Sequence, residues 1–258
     1  MKQVLVIPKQ EKIADYLHLA QQYNLGFEYN EFFMPDILDD ENECRRLVEA
    51  YKQEVLPLYT TLHGAFFDVI PFSVDARIKE ISRQRIEQSI RAAKSIGAKA
   101  VVFHTNYNPS LNSKDYVEKW IKENVDYWGS VLAEHADIEI YLENTFEATP
   151  DILIALSEQL SLYPNYGVCL DYAHALLSKV APSEWAKRLG RFVKHIHIND
   201  NDGISDLHLA WGSGEVNRKQ FYEDYANYMK GASVLVEVSD FEKAESSIKV
   251  LKEEGFIK

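Results

Sequence analysis

Nine side chains capable of metal binding or proton transfer recur at matching places in successive stretches of the sequence. His63, His104 and His197 each close a short run rich in apolar or β-branched residues, as do Glu143 and Glu237. Asp171 follows directly on another such run, and His174 comes three residues later, on the same face of a first helical turn. Asp206-Leu207-His208 places a carboxylate and an imidazole on one side of an extended segment. A single histidine at a strand end is ordinarily a hydrogen-bonded rim residue, and a single glutamate there can cap the next helix. The joint pattern asks for more, because ionised carboxylates removed from water are costly unless paired or metal-bound. Imidazole and carboxylate donors together favour zinc, manganese or iron over calcium or magnesium. The expectation is a divalent-metal centre, zinc or manganese.

These residues need elements that carry them to one place. Strands are predicted at residues 3–7, 26–29, 59–63, 100–104, 139–143, 166–170, 192–197 and 233–237. Val101-Val102-Phe103 and Val234-Leu235-Val236 are unbroken apolar runs, as expected of strands covered on both faces. Amphipathic stretches lie between them. Ile86, Ile90, Ala93 and Ile96 form one apolar stripe that ends at Gly97, a C-cap. Ser113 and Thr149 are candidate N-caps, Thr149 with Pro150 at the first helical position. About eight β-then-α units in 258 residues predict a single-domain α/β fold, a (β/α)8 TIM barrel spanning residues 1–258. A doubly wound sheet is the alternative, but Ile7-Pro8-Lys9-Gln10 is no glycine-rich phosphate turn. In a barrel the chemistry gathers at the C-terminal mouth, where the nine residues fall.

A net charge of −12 weighs against nucleic acid as a general partner, since few lysines and arginines are available to displace counterions. Cys44 and Cys169 fall in a predicted helix and a predicted buried strand, which argues against a disulfide. The apolar run of residues 4–7 is too short for a signal-peptide core, and none approaches a membrane span. A cytoplasmic location is expected, and a homo-oligomer is compatible with the sequence. His18 and His135 are expected at the surface, and His195 one layer deeper than His197, in the core. No Ser-His-Asp arrangement or nucleophile elbow appears.

The run His195-Ile196-His197-Ile198-Asn199-Asp200, the segment Asp171-Tyr172-Ala173-His174 and Asp206-Leu207-His208 resemble the xylose isomerase-like TIM-barrel superfamily. That group includes endonuclease IV and related sugar isomerases and epimerases, and the resemblance spans essentially the whole chain. In its ketose 3-epimerase branch, Glu143, Asp171, His197 and Glu237 match the four ligands of one metal, and the two glutamates match proton shuttles. In the endonuclease IV branch, His63, His104, His174, Asp206 and His208 match additional ligands of a three-zinc cluster. Trp211-Gly212-Ser213-Gly214-Glu215 resembles the loop that follows. One to three ions per chain are therefore implied.

The nuclease resemblance also implies basic, intercalating loops, whereas residues 32–40 are acidic and aromatic. The epimerases carry an arginine soon after the seventh-strand histidine, and residues 198–207 contain no arginine or lysine. The expectation is a divalent-metal-dependent isomerase or epimerase of a small sugar or sugar phosphate, working through a metal-stabilised enediolate. Glu143 and Glu237 would be its catalytic proton carriers. Trp211, Phe67, Tyr107 and Phe241 are expected to cover the apolar face of the substrate. An endonuclease IV-like multinuclear zinc phosphoesterase is the alternative, and a non-catalytic sugar-binding barrel a second one.

Overall fold

The computed structural model describes residues 3–258. Among them, eight strands pair in parallel in chain order: β1 (Val4–Val6), β2 (Gly26–Tyr29), β3 (Thr60–His63), β4 (Ala100–His104), β5 (Glu139–Glu143), β6 (Tyr166–Asp171), β7 (Val193–Ile198) and β8 (Ser233–Val236). Val4 opposite Val234 closes β8 onto β1, so the sheet is a barrel and the doubly wound alternative falls. The strand ends lie within one or two residues of the predicted ones. β8 stops one residue early, yet the Glu237 amide still donates to the Ile198 carbonyl at 2.8 Å, which extends the sheet's grip to that side chain.

Alternation along each strand sorts the residues into two layers. Val101, Phe103, Ile140, Leu142, Val168, Leu170, Ile196, Ile198, Val234 and Val236 face outward into the main core beneath the helices. Inside the barrel, apolar filling is confined to two small groups, Ala100-Val102-Tyr141-Cys169 and Leu5-Ile7-Leu235. Burial against the helices must therefore supply most of the hydrophobic stabilisation, at ~25 cal/mol per Å². The interior is left free to hold polar groups. A register shift between Val168 and Cys169 sets His195 opposite Cys169 and His197 opposite Asp171.

The expected stripe is found on helix Ala76–Ile96, where Ile86, Ile90, Ala93 and Ile96 are buried. Gly97 ends that helix at φ 82°, a left-handed conformation that glycine adopts without Cβ strain. Ser113 caps helix Lys114–Glu134 by accepting from the Tyr116 amide. Thr149 does not cap as expected. Pro150 is the N-cap of helix Asp151–Leu160, and the Thr149 hydroxyl donates to the Asp151 carboxylate at 2.7 Å. The end of helix Lys114–Glu134 is clamped to β5 and β6 by Asn165, whose amide donates to the Leu132, His135 and Ile138 carbonyls at 3.1, 3.0 and 3.1 Å. His18 is exposed, but His135 is buried between Glu87 and Lys94, so its expected surface position was wrong. Both cysteines are free thiols, and among the described residues no helix is long and apolar enough to cross a membrane.

Candidate metal centre

Inward-facing positions at the C-terminal ends of the strands deliver the candidate residues. His104 is opposite Glu143 across β4 and β5, and Asp171 is opposite His197 across β6 and β7. Asp171 also caps the short helix Tyr172–Leu176, taking the His174 amide on Oδ1 at 2.6 Å. That bond fixes the carboxylate and leaves Oδ2 turned to the barrel mouth. The Asn144 side chain brackets the same residue, accepting from its amide and donating to its carbonyl. The Asp206/His208 segment hangs on Asp200, whose carboxylate accepts the Gly212 and Val216 amides and whose backbone bridges Leu209. His208 itself has φ 45°, a left-handed conformation that is costly for a side chain with a Cβ.

All nine predicted residues meet in overlapping groups: His63-His104-Glu143, Glu143-Asp171-His197-Glu237, His174-Asp206-His208 and, bridging the first two, His63-His197-Glu237. Within each group the donor atoms lie within 4.8 Å of one another. Glu143 joins two groups and touches four histidines. Its Oε2 is 3.4 Å from His63 Nε2 and 3.5 Å from His104 Nε2, and its Oε1 is 3.4 Å from His197 Nδ1 and 3.5 Å from His174 Nδ1. His197 Nδ1 is 3.5 Å from Glu237, and Asp206 Oδ2 is 3.2 Å from both His174 Nε2 and His208 Nε2.

These separations distinguish ligands from hydrogen-bond partners. Most exceed the usual hydrogen-bond length, whereas donors at about 2.0–2.1 Å from a tetrahedral ion stand roughly 3.3–3.4 Å apart. Both Glu143 oxygens, Asp171 Oδ2 and both His197 nitrogens are buried with no hydrogen-bond partner among the described residues, as is Glu28 Oε1, which stands 3.1 Å from His197 Nε2. A native interior rarely leaves such groups unsatisfied without a functional reason. The donor set thus fits a divalent cation. Three imidazoles are already oriented for one: His63, His174 and His208 each turn Nδ1 to a backbone carbonyl, of Gly64, Asn144 and Glu237, at 2.9–3.0 Å. With Nδ1–H donating, Nε2 is the nitrogen turned to the cluster, free to offer its lone pair once it carries no proton.

The protein's own charges tune these groups. Burial alone would raise Glu237, but His197 and His208 hold it down at about 2. Burial pushes Asp171 up to about 7, aided by Glu237 and Glu143 and opposed by His174. Burial lowers His104 to about 3. Against the effect of burial, Asp206 and Glu237 push His208 up to about 10.

The aromatic residues divide. Tyr107 lines a cavity of about 720 Å³ beside the cluster, together with Thr145, Phe146, Glu147, His174 and Asp206. Phe67 is 63% exposed and stacks on Phe66, which is the ring that reaches His104, at 4.7 Å. Trp211 is not at the mouth. Its ring is buried against Phe221 and donates to the Tyr222 hydroxyl, because the chain turns under at Gly212, φ 93°. Phe241 packs on Tyr16 at 5.1 Å rather than on the cluster.

Two buried carboxylates beside the cluster and its cavity, Glu147 and Glu28, escaped the sequence reading. Glu147 takes the Thr105 hydroxyl and the Thr145 amide on the cavity wall. Glu28, in the middle of β2, is fully buried behind His197, with Oε1 3.1 Å from its Nε2. The signal for Glu28 was a lone acid in Gly26-Phe27-Glu28-Tyr29, a strand otherwise fit for a core.

Residues 19–254 match the model of a family described as xylose isomerase-like TIM barrel. An uncharacterized protein of Methanocaldococcus jannaschii is 26% identical over 254 residues, covering 94% of this chain and 82% of its own. A probable endonuclease 4 of Mycobacterium leprae is 25% identical, covering 80% of this chain and 81% of its own. The solved structure of a D-tagatose 3-epimerase-like protein superposes with a TM-score of 0.79 at 23% identity, covering 98% of this chain and 96% of its own. With a closed eight-stranded barrel and a family match over nearly its whole length, the chain belongs to the xylose isomerase-like TIM barrel family.

Proposed function

We propose that the protein is a divalent-metal-dependent isomerase or epimerase of a small sugar or sugar phosphate. The observation that carries the reading is the buried group Glu143-Asp171-His197-Glu237, in which two glutamates reach one place from β5 and β8, three strands apart around the ring. When bound, the ion supplies a Lewis acid that polarises a carbonyl and offsets negative charge developing on neighbouring oxygens. Glu143 and Glu237 approach the reacting carbon from two sides, so one removes a proton and the other returns it. Glu237, held at about 2, is ionised at neutral pH, the form that binds a cation. Tyr107 and the wall of the 720 Å³ cavity offer apolar cover for a sugar chain or ring. The net charge of −12 and the likeness in fold to a D-tagatose 3-epimerase-like protein support a small polyol over a polyanion.

One observation favours a second reading. The candidate donors form several overlapping groups, two of them sharing Glu143, which suits a multinuclear phosphoesterase like the relative named probable endonuclease 4. Elemental analysis of the purified protein, with a panel of ketoses and ketose phosphates in D2O, separates the two. Deuterium entering the carbon next to the carbonyl is the expected result. Two or three zinc ions per chain, no deuterium uptake and cleavage of abasic DNA or a small phosphoester would overturn the isomerase reading.

A further inference from the structure

We infer that Glu28 is a positioning residue for His197, holding the imidazole by Nε2 so that Nδ1 is delivered to the metal. The inference rests on the reading that Glu143, Asp171, His197 and Glu237 hold a divalent ion. His197 is the exception among the cluster's histidines. His63, His174 and His208 are oriented through Nδ1 by backbone carbonyls and offer Nε2. His197 is turned the other way, with Nδ1 facing Glu143 and Glu237 at 3.4 and 3.5 Å and Nε2 pointing down into the barrel. The nearest carboxylate oxygen to Nε2 is Glu28 Oε1, at an ion-pair separation of 3.1 Å, and neither atom makes a hydrogen bond to any other group among the described residues.

Glu28 is itself held. Its Oε2 accepts the Thr61 hydroxyl at 2.6 Å and lies 3.1 Å from His195 Nε2. His195 Nδ1 is bonded to the Ser233 hydroxyl at 2.7 Å, and that hydroxyl to Tyr59 at 3.2 Å. A polar column therefore runs from low in the barrel up to the back of one ligand. Glu28, Thr61, His195 and His197 all have no exposed surface. A well-packed apolar side chain in place of a buried ion pair is often neutral or stabilising, so packing gives no reason for a carboxylate here. Orientation of a metal-binding imidazole does, since a carboxylate behind the ring fixes the tautomer and strengthens the donor, and losing it typically costs 10–100-fold in metal affinity.

Two measurements test this. Zinc titration of Glu28→Gln against a chromophoric chelator should show one ion bound about 10–100-fold more weakly, the same ion that Glu237→Gln weakens. Circular dichroism should remain that of wild type. In zinc-loaded wild-type protein, long-range proton–nitrogen correlations should show His197 protonated on Nε2 and metallated on Nδ1, opposite to His63. This second readout stands even if the variant fails to fold. Zinc binding by a folded Glu28→Gln within twofold of wild type, or His197 metallated through Nε2, would overturn the role of Glu28 alone. Wild-type protein that takes up no zinc would overturn the metal reading and this inference with it.

Discussion

Zinc entering the His174-Asp206-His208 group should exchange for protons, and the number can be worked out from the geometry. Burial works against protonation of both histidines, but the surrounding carboxylates together outweigh it: Asp171, Asp206 and Glu143 at His174, and Asp206, Glu237 and Asp171 at His208. His208 is pushed up to about 10 and His174 lies well above the ordinary imidazole range, so at pH 7 both rings carry a proton. A metal ligand must give that proton up. Each ion taken by this group should therefore release about two protons. Apparent affinity should then rise about 100-fold per pH unit near neutrality, or ~2.7 kcal/mol. The steepness should fade as pH approaches 10, where His208 loses its proton unaided. Stability of the chelated protein runs the other way. A histidine raised by its partners stabilises the fold below the unfolded value of about 6.5, and that contribution is lost as pH rises toward 10. The assay is calorimetric titration of zinc into chelator-stripped protein between pH 6.5 and 8.5, in buffers of different ionisation enthalpy. His208→Ala should lower the proton count by about one. Affinity independent of pH, or a proton count unmoved by His208→Ala, would refute the reasoning and remove this group as a zinc site.

Three other substitutions probe separate parts of the design. Glu237→Gln should lower sugar turnover at least ~100-fold while zinc stays at His63-His104-Glu143, as checked by deuterium exchange beside elemental analysis. Asn165→Ala strands the Leu132, His135 and Ile138 carbonyls and should cost about 1–3 kcal/mol. Thermal unfolding should then shift down by roughly 2–4 °C per kcal/mol. Gly64→Ala drives a Cβ into the Phe103 ring directly after the candidate ligand His63. It should cost about 1–3 kcal/mol in urea denaturation and weaken zinc binding at His63.

The barrel and the gathering of the nine candidate residues at one place were legible because each rested on a pattern that the chain repeats. A side chain that closes a strand in a parallel barrel has little choice but to stand at the mouth, so His63, His104 and Glu143 could be placed from position alone. Glu28 had no such marker. In a four-residue strand, one acid among apolar neighbours does not say which face of the sheet it takes, and the inward face was visible only once Thr61 and His195 stood around it. His195 was rightly placed a layer below His197, but its polar partners come from β2 and β8, far away in sequence. Trp211 failed for a different reason. A loop tryptophan can roof the site or fold beneath it, and the choice is made by backbone dihedrals at Gly212 together with the Phe221 ring, neither of which leaves a periodic trace. His135 looked like a surface residue because helical spacing does not reveal the Glu87 and Lys94 side chains that enclose it.

The position of Glu143, shared between two candidate groups, also has a temporal consequence. The group it forms with Asp171, His197 and Glu237 draws on four strands, the last of which closes the ring against β1. That group therefore cannot bind an ion until the barrel is nearly complete. An ion that recognises only the finished geometry cannot speed the earlier steps of assembly, whose pace is set by long-range strand pairing. It acts instead on the return journey, deepening the native basin without lowering the barrier that leads into it. Metal should lengthen the lifetime of the folded chain far more than it hastens its formation, making the centre a latch on the closed barrel.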